Sequence, residues 1–331
     1  MGGEPRRDSS EEQNAPAHED LVRGLAHVRP RSEGDPSLGH PSLGDPSLGQ
    51  QGRCAVWGVL NVTPDSFSDG GDFLDVDAAL AHAARMIEEG ADVIDVGGES
   101  SRPPGKTYGA GAARVSVDEE LRRVVPVIER LRVAFPDTPV SVDTVKAEVA
   151  AAALDAGAVC VNDVSCGASE ALVRATAERD GTLVLMHTRD GGRVDAETCA
   201  YGDVVSDVLT ELRAAAERAI ALGVAPSRVW IDPGVGFAKN AAQSVTLLGN
   251  LDAFAKSGYP VLVGASRKSW IARTVAAAGG GEPAPDARLG GSLAAVTAAA
   301  LAGCAAVRVH DVFASAQAAR VADAMREAGA R

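Results

Sequence analysis

RCAVWGVLNVTPDSFSDGGDFLDVDAALAHAARMIEEGADVIDVGGES, residues 53–100, contains the unit from which the rest of the chain is built. AVWGVLN (55–61) and VIDVGG (93–98) are nearly continuous apolar runs of strand length, the pattern of parallel strands covered on both faces. Between them, DAALAHAARMIEEG repeats its apolar residues at helical spacing. Leu80, Ala84 and Ile87 share one face, Asp77 is placed to cap the start and Gly90 the end.

The same cycle recurs down the chain. Further strands read at VSVD (140–143), VCVND (159–163), LVLMH (183–187), VWID (229–232), VLVGA (261–265) and AVRVH (306–310). A later helix, SVDEELRRVVPVIERLR, opens with a Ser116/Glu119 capping box and has Pro126 where a kink is expected. Eight such units predict an α/β fold, a single (β/α)8 TIM barrel spanning residues 53–331. A doubly wound open sheet would carry a glycine-rich turn after its first strand, and VLNVTPD is not one.

Residues 1–52 read differently. They contain no aromatic residue and include PSLGHPSLGDPSLG, so they are expected to be a disordered low-complexity tail. The whole chain is 46% apolar and 23% charged, enough for a sizeable core. Its net charge of −13 argues against broad attraction to nucleic acid or an anionic membrane, so any anion must be met by a local pocket. No membrane-length apolar run or signal-like segment is present, and the five cysteines form no C-x-x-C pair. A cytoplasmic protein with free thiols is expected. The Ala-rich stretch 290–306 reads as a barrel helix because it lies between the last two strands.

In a barrel of this kind, substrate is met at the C-terminal ends of the strands. Here Asn61, Asp143, Asn162 with Asp163, His187, Asp232 and His310 close six strands, while Glu99 to Arg102 and Ser266 to Lys268 follow the other two. One terminal Asp or Asn is readily a loop cap; a whole set converging on one face is a site. Asp143, Asn162 and Asp232 offer acceptors, and Asn162 also amide donors, which suits the edge of a heterocycle; Lys268 adds a donor. Arg102, Arg308 and His310 form a cationic group of the kind that holds phosphate or diphosphate, with Arg308 and His310 on the same side of one strand. His187 reads as hydrogen-bonding support. Asp95 and Glu99 could pass for a glycosidase pair, but no second feature supports that reading. The loops 61–71 and 97–116 are long and polar, and read as lids that exclude water.

NVTPDSFSDGG, VGGESSRP, SVDT, VNDVS, LMH, IDPGVGFAK, GASRKS and RVHDV stand in one order over roughly residues 54–325, and together they closely resemble the dihydropteroate synthases of folate biosynthesis. The resemblance implies a transferase, a sulfonamide target and commonly a homodimer. It joins p-aminobenzoate to 6-hydroxymethyl-7,8-dihydropterin diphosphate, releasing diphosphate through an SN1-like state with Mg2+ assisting. Carried over by motif, Asp143, Asn162, Met186, Asp232, Gly264 and Lys268 would hold the pterin. Asn61, Arg102, Arg308 and His310 would hold the diphosphate, with Asn61 touching the metal. Phe67, Ser101, Phe237 and Ser266 would shape the p-aminobenzoate pocket, and Asp69 would face the pterin methylene cation, so that Asp69, Lys268 and Arg102 form the catalytic set.

The sequence also departs from the pattern of that family. Trp57 and Val235 replace commoner residues and read as packing variants, and Ser101 keeps the hydroxyl of a commoner Thr. The segments 103–116 and 187–203 differ more, and bear on access of p-aminobenzoate. A corrinoid-linked pterin methyltransferase would need no TPDSFSDGG lid or diphosphate-binding SRKS and RVHDV residues. A non-catalytic paralogue would be expected to lack Asn61, Arg102, Lys268 or Arg308, and all four are present.

Overall fold

The computed structural model describes residues 52–63, 72–99 and 115–329. The expected tail, apart from Gly52, therefore lies outside the described residues, as do Phe67, Asp69, Ser101 and Arg102 in the two expected lids.

The strands are β1 (Ala55–Asn61), β2 (Val93–Gly97), β3 (Val140–Asp143), β4 (Cys160–Asp163), β5 (Thr182–Met186), β6 (Val229–Asp232), β7 (Leu262–Val263) and β8 (Ala306–Val309). All pair in parallel in the order β6-β5-β4-β3-β2-β1-β8-β7. A parallel bridge from Ile231 to Val261 brings the β7 end back to β6, so the sheet rolls into a barrel. Around it run α1 (Asp72–Glu88), α2 (Val117–Ala134), α3 (Ala147–Asp155), α4 (Glu170–Ala177) and α5 (Val204–Ala221). The second half adds α6 (Ala241–Gly249), α7 (Leu251–Ala255), α8 (Ser269–Ala277), α9 (Leu289–Leu301) and α10 (Val312–Gly329).

Strand side chains alternate between two faces, and the buried residues divide accordingly. Val56, Leu60, Ile94, Val96, Val142, Val161 and Ile231 belong to the large cluster between sheet and helices. Ala55, Trp57, Val93, Cys160, Val184, Trp230, Leu262 and Ala306 form a separate cluster inside the barrel. Trp57 and Trp230 are fully buried, with ring centroids 5.7 Å apart, and they fill the interior toward the N-terminal ends of the strands. That is the packing role expected for Trp57.

Two local readings change. Helix α1 starts at Asp72, so Asp77 is inside it and meets Arg130 at 3.2 Å instead of capping. Ser116 caps α2 by accepting from the Glu119 N–H, but the Glu119 carboxylate is engaged by Arg122 and Arg123 and does not complete the box. Helix α2 continues through Pro126. All five cysteines are free, with Cys54, Cys160 and Cys304 buried. No described helix is long and apolar enough to cross a membrane.

Candidate active site

Above the indole pair, the inward-facing strand positions turn polar. Asp95 and Asn162 are completely or almost completely buried, at 0% and 3% exposed, and Asp143 and Asp232 remain at 6% and 3%. The register sets their neighbours: Asn61 lies beside Gly97, Gly97 beside Asp143, Asp143 beside Asn162, and Met186 beside Asp232. A side chain on Gly97 would begin 3.7 Å from both Asn61 Oδ1 and Asp143 Cβ, so its absence leaves open the space those two residues flank. Gly264 has the same place on the opposite wall. A Cβ there would lie 3.4 Å from Asp232 Oδ2, 3.9 Å from Lys268 Nζ and 4.0 Å from Arg308 Cβ.

Arg308 joins the parts. Its Nε donates to Asp95 Oδ2 at 2.5 Å and its terminal nitrogen to Asp143 Oδ2 at 2.8 Å, while Asn162 Nδ2 lies 3.4 Å from the same Asp95 oxygen. Burial works against the guanidinium charge, but Asp95 and Asp143 outweigh it and hold Arg308 firmly protonated. The sequence reading grouped Arg308 with the anion side; the structure pairs its guanidinium with Asp95 and Asp143. Burial raises Asp143 to about 7 against the pull of Arg308, and it raises Asp232 against Lys268. Lys268 is pushed down to about 8, again by burial first.

Lys268 stands at the N-terminus of α8, directly after Arg267, whose φ of 57° lies in a region uncommon for a side-chain-bearing residue. Three contacts hold Arg267 there. Its N–H donates to Ser292 Oγ, its guanidinium pairs with Asp311, and its carbonyl accepts from Arg288. Lys268 Nζ then donates to the Val235 carbonyl at 2.8 Å and lies 4.4 Å from the centroid of the Phe237 ring. Ser266 faces His310, with Oγ 3.1 Å from Nδ1. Asn61, Asp143, Asn162, Met186, Asp232, Gly264, Ser266, Lys268 and Arg308 are thus all carried at the same end of the barrel, with Phe237 and His310 in the loops beside them.

Sequence reasoning missed Asp95 and Lys239 as parts of this region. Asp95 had a usable signal: it is two residues before Gly97 and so shares its inward face. Lys239 had only its place at the end of IDPGVGFAK, because its partner His187 is 52 residues away. Among the described residues no group of three or more His, Cys, Asp or Glu is arranged to hold a metal.

An eight-stranded parallel barrel with a buried acid–amide–lysine face at its C-terminal end is the architecture of a small-molecule enzyme. The chain belongs to the pterin-binding enzyme family, whose profile matches residues 57–310. Within it, proteins similar to this chain include dihydropteroate synthases. That of Mycobacterium leprae is 45% identical over 276 residues, covering 83% of this chain and 94% of the relative. The Xanthomonas albilineans dihydropteroate synthase with 4-aminobenzoic acid is 43% identical with a TM-score of 0.74, covering 83% and 93%; its complex with 7,8-dihydropteroate gives 42% and 0.70, covering 83% and 94%. The Yersinia pestis enzyme in complex with a sulfonamide drug is 40% identical with a TM-score of 0.74, covering 83% and 95%.

Proposed function

We propose that this chain is a dihydropteroate synthase of folate biosynthesis, a transferase that joins p-aminobenzoate to 6-hydroxymethyl-7,8-dihydropterin diphosphate. The observation that carries this reading is the single inward face on which Asp143, Asn162, Asp232 and Lys268 converge around the glycine gaps at 97 and 264. Carboxylates and an amide there complement a flat heterocycle with N–H groups and a carbonyl, and Met186, buried, lies in register with Asp232. The similarity to structures holding 4-aminobenzoic acid, dihydropteroate and a sulfonamide supports the same substrates and drug class here.

In the reaction, the bond from the pterin methylene carbon to oxygen breaks and its electron pair leaves with diphosphate. The amine nitrogen of p-aminobenzoate then bonds to that carbon and gives up a proton. A neutral aromatic amine needs no strong base, so the residues act by charge stabilisation. Arg308 and His310, with Arg102 assigned from the sequence, would meet the departing diphosphate. Phe237 and Ser266, with Phe67 and Ser101 from the sequence, would hold the aromatic amine, and Asp69 would face the cation.

Magnesium fits this donor set. It favours one or two protein oxygens, completing its shell with phosphate and water, so Asn61 Oδ1 suffices and no preformed carboxylate cluster is needed. When bound, Mg2+ would neutralise charge on the leaving diphosphate. A homodimer is supported by an exposed apolar row on α10, where Phe313, Val321 and Met325 are 63%, 62% and 56% exposed. A cytoplasmic location is supported by the free, buried thiols.

The test is to incubate the purified protein with the pterin diphosphate, p-aminobenzoate and Mg2+, and measure dihydropteroate and diphosphate together. Equimolar products, abolished by chelating the metal, are expected. Tight pterin binding without product would replace the synthase with a binding paralogue.

A further inference from the structure

Lys239 is 2% exposed, and it is not among the residues that face the pterin. Its ammonium donates to the Phe237 carbonyl at 2.9 Å, meets His187 Nδ1 at 2.9 Å and lies 3.5 Å from the His187 carbonyl. These contacts use its three donors within the protein. The other nitrogen of His187, Nε2, lies 2.9 Å from Glu211 on α5, and Arg189 pairs with the same carboxylate. Arg189 in turn stacks 3.9 Å above the Tyr201 ring, and the Tyr201 hydroxyl donates to the Ala238 carbonyl at 3.0 Å. The circuit therefore closes: it leaves the β6–α6 loop at Lys239 and returns to it at Ala238.

Burying a lysine against a histidine is costly, and both titrate accordingly. Burial lowers Lys239 to about 7, and burial together with Lys239 lowers His187 to about 3. The imidazole thus stays neutral and able to accept from the lysine.

What the circuit holds is the loop 233–240. That loop supplies the Val235 carbonyl that accepts from Lys268 and the Phe237 ring beneath its ammonium. The segment following β5 closes on it from the other side. The Gly192 carbonyl accepts from the Ala238 N–H, and a Cβ on Gly192 would come 2.6 Å from Phe237 Cδ1, so the backbone there lies flat against the ring. A Cβ on Gly234 would come 1.9 Å from the His187 carbonyl, so the two loops touch with no space to spare.

We propose that Lys239 and His187 are positioning residues for the p-aminobenzoate side of the site, locking the 187–203 segment to the 233–240 loop so that Phe237 is fixed beneath Lys268. This rests on the synthase reading above. Asp143 and Asn162 sit on strands away from that loop; Asp232 accepts from the Gly234 N–H but is fixed at the end of β6, whereas Phe237 lies wholly within the loop. Loosening the circuit therefore acts on one substrate more than on the other, which a general loss of stability cannot do.

The experiment measures KM for p-aminobenzoate, kcat and the dissociation constant of the pterin for the wild type, Lys239→Met, His187→Leu and His187→Asn, on folded protein checked by thermal denaturation. For Lys239→Met and His187→Leu, KM for p-aminobenzoate rises about tenfold or more with a fall in kcat, while pterin affinity changes about twofold or less. His187→Asn keeps an acceptor toward Lys239 and moves KM back toward the wild type. Equal losses for both substrates, or a lowered melting temperature with unchanged kinetics, would overturn the proposal. If Lys239→Met gives no folded protein, Tyr201→Phe decides, removing one hydrogen bond of the circuit: the proposal requires the same selective rise in KM, about threefold, and an unchanged KM refutes it. A wild type that forms no dihydropteroate would instead refute the synthase reading.

Discussion

Burial raises Asp143 to about 7 and lowers Lys268 to about 8, so the two titrate toward one another from opposite sides of the neutral range. An aspartate accepts two N–H donors only when ionised, and a lysine donates fully only when protonated. Pterin affinity should therefore rise with pH through about 7, fall through about 8, and be greatest between. Calorimetric titration with a pterin from pH 6 to 9 checks this, and Asp143→Asn should remove the acidic limb alone; a flat profile in the wild type would refute the assignment. At this scale the sequence was informative wherever a polar residue ended an apolar run, as with Asp143, Asn162 and Asp232. It was uninformative about partners: Arg308 meets Asp95 across 213 residues, and no local pattern announces such a pairing.

At the scale of elements, the ends of all eight strands were legible to within two residues, because parallel strands covered on both faces are continuous apolar runs. Helix starts were less so. The Ser116 signal was only half used because the neighbouring arginines compete for Glu119, whereas the complete capping box of the described residues lies at α6. There Asn240 Oδ1 accepts from the Gln243 N–H, Gln243 Oε1 accepts from the Asn240 N–H, and Gln243 Nε2 donates to the Cys199 carbonyl. Asn240→Ala should cost about 1 kcal/mol in urea denaturation, the usual loss for an N-cap. No change in the midpoint would mean that the neighbouring loop, and not the cap, sets the start of α6.

For the whole molecule, the acidic surface and the apolar row on α10 pull in opposite directions. A net charge of −13 keeps copies apart in general, so a specific contact has to come from a patch such as Phe313, Val321 and Met325. Met325→Glu, near the C-terminal end of α10, should convert a dimer to a monomer in sedimentation velocity at micromolar concentration without altering the site at the other end of the barrel. A wild type that sediments as a monomer there would refute the homodimer. The row was not visible as a patch in the sequence, since its exposure depends on which side of α10 faces the barrel.

The Trp57–Trp230 pair fills the barrel interior toward the N-terminal ends of the strands, so a ligand would reach the site from the C-terminal face. Entry then has a queue. On the proposed assignment, the molecule held by Asp143, Asn162 and Asp232 would load before the one held near Phe237 and Ser266, and a ligand taking the outer place first would block it.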